Sequence, residues 1–345
     1  MTNMSPKDRV FTAIEYKEPD RIPLSLGLTL RGAKLLDLSI KDYFQKPEHI
    51  VKAQMVLNEK FGNDTYSNFF TTALEYKAWG GEVIYFEDGP PNTGKPIIKT
   101  PDDIQNLHPP EIKESETLQN VIRATELLKD EIYNEYPILG VVISPFSLPI
   151  IQMGFNKYIE LIYNNRDLFD QLIILNEDYV VKWANAQINA GADAIAYYDP
   201  FSSPEIVPRE LYLKTGFKIA KDTIAKIDGP VASHFASART KKIIKDVMKT
   251  GSIAIGISSK EDIEEMKKLC EGKLAIMGNL NTIGMVNWSV KETEEKVKQI
   301  IKKAGKGGGI IVSDNHGEIP FQVPDKVLLA IKNAIEKWGN YPLDG

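Results

Sequence analysis

The sequence predicts a (β/α)8 TIM barrel, an α/β fold in which eight parallel strands alternate with helices. Two observations carry this prediction: the chain contains eight short apolar runs, and from Ile138 onward they alternate regularly with helical segments. The length of 345 residues also suits one such barrel with insertions. The predicted strands span residues 22–27, 64–69, 138–144, 194–199, 230–234, 253–258, 274–280 and 309–315.

The first 60 residues form a predicted N-terminal helical extension around the first strand. Ser5 precedes Pro6, and a serine cap followed by proline in the first turn is typical of a helix start. We therefore expect one helix over 5–16, and a second over 47–61.

A small insertion is predicted after the second strand, at about residues 76–115. Periodicity weakens there, and the turn-forming sequences Gly80-Gly81, Pro90-Pro91 and Asn92-Thr93-Gly94 appear. This composition favours a hairpin laid over the barrel, where it could act as a lid. The chain as a whole, 1–345, is expected to form a single domain.

Apolar residues at helical spacing predict the later helices. They span 166–190, 240–250, 290–304 and 324–338. No Gly-x-Gly-x-x-Gly turn follows any strand, so nothing indicates a dinucleotide-binding sheet. A closed barrel is therefore favoured over an open doubly wound sheet.

Composition excludes several classes of protein. With 43% apolar residues, 26% charged residues and a net charge of −5, the chain lacks the basic excess that binds nucleic acid. It has no signal peptide pattern and no run of roughly 18 to 20 apolar residues that could span a bilayer. We therefore expect a cytoplasmic protein. Cys270 is the only cysteine, which excludes an intrachain disulfide and a metal site built from several thiolates.

The strand ends are unusually polar. In (β/α)8 enzymes the active site lies at the carboxyl ends of the strands, and here those ends carry Asp199, His234, Asn279, Asp314 and His316. Imidazoles and carboxylates from different strands can together bind zinc and leave one position open for a substrate. The histidines are therefore candidate metal ligands.

Each candidate also has a structural alternative. A histidine at a strand end is commonly a hydrogen-bonded loop residue, and Asp199 and Asn279 equally suit the caps of the helices that follow them. The aromatic run that includes Phe69, Phe70 and Tyr76 is typical of core packing. From the residues alone these alternatives stay open.

Several segments, spread over nearly the whole chain, match a known family. They are Glu18–Pro23, Pro145-Phe146, Gln187–Asp193, Asp199, His234, Gly278-Asn279-Leu280 and Gly307-Gly308-Gly309. On these segments the chain resembles the uroporphyrinogen decarboxylase superfamily, and within it the zinc-dependent, corrinoid-linked methyltransferases. The decarboxylases carry an arginine-rich N-terminal signature that holds the porphyrin. The equivalent stretch here, Leu24–Arg31, contains one arginine, which speaks against a porphyrin substrate.

The chain departs from the thiol-specific methyltransferases of that superfamily at the expected zinc ligands. Those enzymes have His-x-Cys after the fifth strand and Gly-Cys-Gly after the eighth, whereas this chain has His234-Phe235-Ala236 and Asn315-His316-Gly317. The resemblance also implies an acidic ligand after the second strand, at Glu75. Without thiolates the zinc would keep more positive charge and act as a better Lewis acid toward oxygen.

These features lead to a functional hypothesis. The protein would move a methyl group from a methoxylated substrate, preferably aromatic, to cobalamin, with zinc polarising the ether oxygen. The chain has no Asp-x-His-x-x-Gly cobalamin signature, so the cobalamin would be carried by a separate corrinoid protein. The expected metal ligands are Glu75, His234 and His316; Tyr198, Asp199 and Asn279 are expected to act in catalysis, and Phe69, Phe70, Phe146, Phe201, Phe235 and Asp314 to bind the substrate.

Three other functions remain open at this point. The protein could transfer a methyl group from a methylated corrinoid protein to a thiol, although the loss of thiolate ligands weakens that function. It could instead be a metal-free decarboxylase in which Asp64 or Asp199 meets the substrate. Finally, a non-catalytic barrel could simply bind a corrinoid protein.

Overall fold

The computed structural model describes residues 4–68 and 71–343. Its strands are β1 (Leu24–Ser25), β2 (Tyr66–Ser67), β3 (Val83–Ile84), β4 (Asn92–Thr93), β5 (Ile138–Ile143), β6 (Ala194–Tyr198), β7 (Val231–His234), β8 (Ala254–Gly256), β9 (Ala275–Leu280) and β10 (Ile310–Asp314). Eight of them form one parallel sheet in the order β1-β10-β9-β8-β7-β6-β5-β2. With helices around it, this sheet is a (β/α)8 barrel, as predicted.

Helices separate and surround these strands. They are α1 (Pro6–Ile14), α2 (Arg31–Leu35), α3 (Ile40–Gln45), α4 (Pro47–Phe61), α5 (Thr72–Ala78), α6 (Glu116–Glu131), α7 (Pro149–Met153), α8 (Phe155–Asn164), α9 (Arg166–Asn189), α10 (Arg209–Lys214), α11 (Gly216–Ile224), α12 (Ile244–Val247), α13 (Ile263–Cys270), α14 (Thr282–Met285), α15 (Val290–Ala304) and α16 (Asp325–Trp338). Two 3-10 helices span Pro101–Asn106 and Pro200–Ser202. None of the described helices combines the length and apolar character needed to cross a bilayer.

Local sequence explains the elements that were predicted well. Strand β5 is almost continuously apolar, as expected for a parallel strand covered on both faces. Helix α15 begins after Ser289, whose side chain accepts a hydrogen bond from the Glu292 amide at 3.1 Å. The predicted helix over 240–250 shortens to α12, because the amides of Thr240 and Lys241 bind the Glu261 carboxylate.

The core has two parts, both made of buried side chains. One includes Ile276 and Val312 of the barrel and Ile331 of α16. The other includes Leu128 of α6 and Trp183 of α9, which pack beside the strands. Burying each large apolar side chain contributes about 1.5–3 kcal/mol, so this double layer holds the strand ends in fixed positions.

The barrel closes between β1 and β2 mainly through side chains. These two strands are the ends of the hydrogen-bonded sheet. Across the gap the Leu24 amide donates to Asp64 Oδ2 at 2.8 Å, and the Leu26 amide donates to Asn63 Oδ1 at 3.0 Å. The Asp64 amide donates in return to the Leu24 carbonyl at 2.7 Å. The side chains of Asn63 and Asp64 therefore accept hydrogen bonds that backbone carbonyls would accept in a continuous pair of strands.

The insertion after the second barrel strand contains the predicted hairpin. Strands β3 and β4 pair in antiparallel fashion, and the 3-10 helix Pro101–Asn106 follows them. The Gln322 side chain donates to the Asp88 carbonyl at 3.1 Å, so the hairpin touches the segment after β10. Its action as a lid stays a prediction.

Candidate functional site

The mouth of the barrel brings together Tyr198, His234, Asp314 and His316. Tyr198 and His234 end neighbouring strands and are paired in register, so their side chains point to the same face of the sheet. Their rings stack with centroids 4.5 Å apart and an interplanar angle of 30°. The charges of Asp314 and His316 both act on the His234 ring. Four residues predicted from strand ends are therefore neighbours in space.

His234 is a buried, neutral imidazole. It is 7% exposed, and its burial lowers its pKa to about 4. Nδ1 accepts a hydrogen bond from the Ala236 amide at 3.0 Å, and Ala236 adopts a positive φ of 50° to present that amide. With this bond in place Nε2 carries the proton, and no described residue accepts it. His234 thus offers one nitrogen to the mouth.

His316 is exposed and is held in place by its neighbours. Its Nδ1 lies 2.7 Å from the Ser237 hydroxyl oxygen, on the loop after β7. Its amide donates to Asp314 Oδ2 at 3.1 Å, and Asp314 Oδ1 accepts from the Gly27 amide at 2.9 Å. Asp314 therefore positions the imidazole, and its carboxylate faces backbone amides from two loops.

Glycine is required where the loops after β1 and β10 meet. Gly317 has a φ of +94°, and a Cβ there would lie 1.9 Å from the Tyr198 hydroxyl oxygen. A Cβ on Gly27 would lie 2.5 Å from the Gly317 carbonyl oxygen. The absence of both side chains lets Tyr198 lie directly against the loop that carries His316.

Glu318 is a site residue that the sequence reasoning missed. Its carboxylate accepts hydrogen bonds from the hydroxyl and amide of Thr29 and from the Leu30 amide at 3.1 Å. Burial raises its pKa to about 8. An acidic residue two positions after His316 was the available signal. Glu318 joins the His316 loop to the start of α2.

Asp199 lies 2% exposed at the end of β6, held by two serines that were not predicted. The hydroxyls of Ser144 and Ser147 donate to its Oδ1 at 2.6 and 2.7 Å. Burial raises the pKa of Asp199. Its side chain does not cap the following 3-10 helix, so the alternative capping role is wrong.

Asn279 joins two loops at the carboxyl ends of the strands. Its Nδ2 donates to the carbonyls of Ser258 and Glu261, both at 3.0 Å. The cap of α14 is Asn281 instead, which accepts from the Gly284 amide at 3.0 Å. Asn279 therefore supports the segment after β8, and its predicted contact with a substrate stays a prediction.

Glu75, the predicted third metal ligand, lies in different surroundings from the histidines. It sits on α5, fully buried, and its Oε1 accepts from the Ile143 amide at 3.2 Å. Within the described part of the chain its Oε2 has no hydrogen-bond partner, and its neighbours include Tyr179 and Trp183 of α9. Burial raises its pKa to about 8. Every contact named here is with β5 or α9, so Glu75 supports the barrel wall.

This burial predicts a pH dependence of stability. The folded state holds a proton on Glu75 that the unfolded chain, with a pKa of 4.5, releases. Stability should therefore fall as the pH rises from about 4.5 to about 8, by at most about 1.4 kcal/mol per pH unit. In Glu75→Gln the amide cannot ionise. Its urea midpoint should match the parent near pH 5 and exceed it above pH 8, while Glu59→Gln on the exposed face of α4 should follow the parent. Equal midpoints for Glu75→Gln and the parent above pH 8 would contradict this.

The predicted aromatic pocket is not open in the structure. Phe146 and Phe201 have no exposed surface, and their rings lie 5.1 Å apart in a cluster with Tyr158. Phe235 is 3% exposed and also belongs to the core. These three therefore form the wall behind the strand ends. Phe69 and Phe70 lie outside the described residues.

Arg31 and Asp64, two charged residues that a decarboxylase could use to bind its substrate, both form ion pairs within the protein. Arg31, the one arginine in the predicted porphyrin-contact stretch, is 2% exposed and forms an ion pair with Asp325 at 2.5 Å. Asp64 lies before β2, at the amino end of the barrel, and binds Arg9 and Arg21. Asp64 thus lies at the opposite end of the barrel from the mouth. The decarboxylase alternative would need it at the mouth.

Side chains of the types that bind metals are present at the mouth. Among residues 4–68 and 71–343, no group of three or more His, Cys, Asp and Glu side chains is arranged to hold a metal ion. The donor types in the mouth fit zinc, since His234 and His316 offer imidazole nitrogens beside the Asp314 carboxylate. Metal binding at His234 Nε2 would move the proton to Nδ1, so the bond from the Ala236 amide would be lost.

Comparisons with known proteins agree with this architecture. The family model described as uroporphyrinogen decarboxylase (URO-D) matches residues 5–338. The chain is 25% identical to uroporphyrinogen decarboxylase of Wigglesworthia glossinidia brevipalpis, over 89% of this chain and 88% of that protein. It is 24% identical to the methylcobamide:CoM methyltransferase MtbA of Methanosarcina acetivorans, over 87% of this chain and 90% of that protein.

A solved structure is also similar. A methyltransferase from Methanosarcina mazei superposes with a TM-score of 0.86 at 17% identity, covering 97% of this chain and 99% of that one. At this identity the likeness shows the fold alone, and it matches the barrel described above. Because the family model covers nearly the whole chain, the protein belongs to the uroporphyrinogen decarboxylase (URO-D) family.

Proposed function

We propose that the protein is a corrinoid-dependent methyltransferase that takes a methyl group from a methoxylated, preferably aromatic, substrate. The acceptor would be a reduced cobalamin on a separate corrinoid protein. One observation carries the proposal: a neutral His234 and a positioned His316 meet in the mouth, and no thiol is near them. The only cysteine, Cys270, is buried in α13, where burial raises its pKa to about 12.

The mouth residues would act on the substrate oxygen. His234 and His316 would hold zinc, with Asp314 beside them; bound zinc would supply Lewis acidity toward the ether oxygen. The carbon–oxygen bond breaks with both electrons on oxygen, and the methyl carbon passes to the corrinoid cobalt. Tyr198 stacks on His234 and keeps its phenol protonated, since burial raises its pKa. In this proposal it would donate a hydrogen bond to the departing oxygen.

The proposal has a direct test. The purified protein, loaded with zinc and mixed with a reduced corrinoid protein, would be offered methyl phenyl ethers, aliphatic methyl ethers and methyl thioethers. Formation of methylcobalamin is followed by its absorbance. We expect methyl transfer from the ethers, with the aromatic ethers fastest. Transfer from the thioethers alone would refute an oxygen-selective site.

A second candidate is transfer from a methylated corrinoid protein to a thiol. It is supported by relatives named methylcobamide:CoM methyltransferases. The absence of cysteine from the mouth argues against it, because thiolate ligands make zinc better suited to activating a thiol. The reverse assay, with methylcobalamin and a thiol, separates the two candidates: rapid loss of methylcobalamin would favour the thiol acceptor.

A decarboxylase function is the third candidate, because relatives with that name match the chain equally well. Its porphyrin substrate carries several carboxylates, and the single arginine of the N-terminal stretch is buried against Asp325. This arrangement leaves that stretch without a cation for the porphyrin. Release of CO2 from uroporphyrinogen by the metal-free protein would support the decarboxylase instead.

A further inference from the structure

A charged cleft of about 340 Å³ lies beside the mouth. Loops after three neighbouring strands form it, together with the first turn of α13. Its lining residues are Pro204, Glu205, Arg239, Lys241, Lys242, Lys260, Glu261, Asp262 and Glu265. The cleft therefore opens on the same end of the barrel as His234 and His316.

Every acidic side chain in the cleft is already engaged. Glu205 accepts from the Arg239 guanidinium at 2.7 Å, and Glu265 pairs with Lys241 at 2.5 Å. Glu261 is 9% exposed and accepts from the amides of Thr240 and Lys241 at 2.8 and 2.6 Å. Asp262 caps α13 and binds Lys303 at 2.8 Å. Three of these carboxylates thus already pair with a cation, and the fourth, Glu261, is held by backbone amides.

Two lysines in the cleft have no such partner. Among the described residues, neither Lys242 nor Lys260 forms an ion pair or a side-chain hydrogen bond, and Glu205, on which the charge of Lys260 acts, is bound to Arg239. Two ammonium groups thus face one cavity in a chain whose net charge is −5. Unpaired ammonium groups around a concave surface attract carboxylates and phosphates.

Hydrogen bonds connect this cleft to the mouth. The Ser258 hydroxyl donates to the Ser237 carbonyl at 2.7 Å, and the Ser237 hydroxyl lies 2.7 Å from His316 Nδ1. Asn279 donates to the carbonyls of Ser258 and Glu261. Ser237 therefore lies between His316 and Ser258, two residues before Lys260 of the cleft.

We propose that Lys242 and Lys260 bind an anionic group, carboxylate or phosphate, on the small methylated substrate. Anion binding by the cleft does not depend on which reaction the protein catalyses. That the anion belongs to the methylated substrate rests on the proposed function. The substrate would then have a methylated end at the mouth and an anionic end in the cleft.

Inorganic phosphate is a suitable probe for the site itself. Its binding at constant ionic strength would be followed by amide chemical shifts of Thr240, Lys241 and Lys260. The double variant Lys242→Ala with Lys260→Ala should bind phosphate about tenfold more weakly. A matched control, Lys245→Ala with Lys249→Ala, removes two exposed lysines outside the cleft and should stay within about twofold of the parent. Equal phosphate affinity in the parent and the first double variant would overturn the site.

A kinetic experiment identifies the molecule that carries the anion. In the methyl-transfer assay, phosphate should compete with the methylated substrate in the parent, and this competition should be lost in the Lys242→Ala, Lys260→Ala variant. Competition against the corrinoid protein instead would overturn the assignment to the substrate. If no methylated compound reacts at all, the proposed function fails, while the phosphate titration still decides whether the cleft binds anions.

Discussion

Replacing His234 by alanine should lower methyl transfer by about 10²- to 10⁴-fold and reduce the zinc content of the purified protein. The side chain is buried at the mouth, stacks on Tyr198 and presents Nε2 to the site. Because its pKa is lowered to about 4, the ring is neutral at pH 7, and movement of its proton from Nε2 to Nδ1 would free Nε2 for a metal. The same losses are expected for His316→Ala. Methylcobalamin formation and zinc analysis measure the two effects.

His49 provides the matched control. It lies at the start of α4, where its Nδ1 is 3.0 Å from the Asp42 carbonyl oxygen. His49→Ala should keep the zinc content and activity of the parent. Unchanged zinc in both His234→Ala and His316→Ala would contradict the proposed ligands. Unchanged activity in both would remove these residues from the reaction.

Replacing Asp64 by alanine should cost the largest amount of stability, about 3–5 kcal/mol. Asp64 is 1% exposed, pairs with Arg9 at 2.6 Å and Arg21 at 2.7 Å, and accepts from the Leu24 amide at 2.8 Å. Its loss removes the carboxylate partner of Arg21, leaves the buried Arg9 with Asp20 alone, and also removes one hydrogen bond that closes the barrel. The urea midpoint should fall markedly.

A surface ion pair shows how much of that loss comes from burial. Asp178 pairs with Lys182 at 2.8 Å on the exposed face of α9, and both side chains are about half exposed. Asp178→Ala should change the free energy of unfolding by less than about 0.5 kcal/mol. Equal shifts of the urea midpoint in Asp64→Ala and Asp178→Ala would show that the buried ion pairs of Asp64 stabilise the fold no more than a surface ion pair does.

The barrel was predictable because its signals are local. Each strand is a short apolar run, and each long helix has apolar residues at helical spacing. The alternation of strands and helices along the chain defines the fold class. Helices 47–61 and 290–304 have the predicted bounds. The mouth was predictable for the same reason: residues at the ends of parallel strands converge, whatever else the chain does.

Side-chain partners across the chain were not predictable in this way. The sequence around Glu75 did not reveal that its carboxyl oxygen would accept a hydrogen bond from the Ile143 amide, in place of a backbone carbonyl on a neighbouring strand. Phe146 and Phe201 follow strands, but they pack outside the barrel against helix α8. Glu318 binds Thr29 and Leu30, almost 290 residues earlier. Such contacts depend on loop paths that no short pattern encodes.

The contact between the first and last barrel loops has a consequence for biosynthesis. β1 pairs with β10, and the Gly27 amide donates to the carboxylate of Asp314, 287 residues further along the chain, so both contacts must wait until that segment has been synthesised. Until then the nascent chain holds His234 without His316 and leaves β1 without a strand neighbour. The mouth is thus completed only after β10 and the His316 loop have been synthesised, and a chain that stops before them lacks the site altogether, however much of its helical layer has formed.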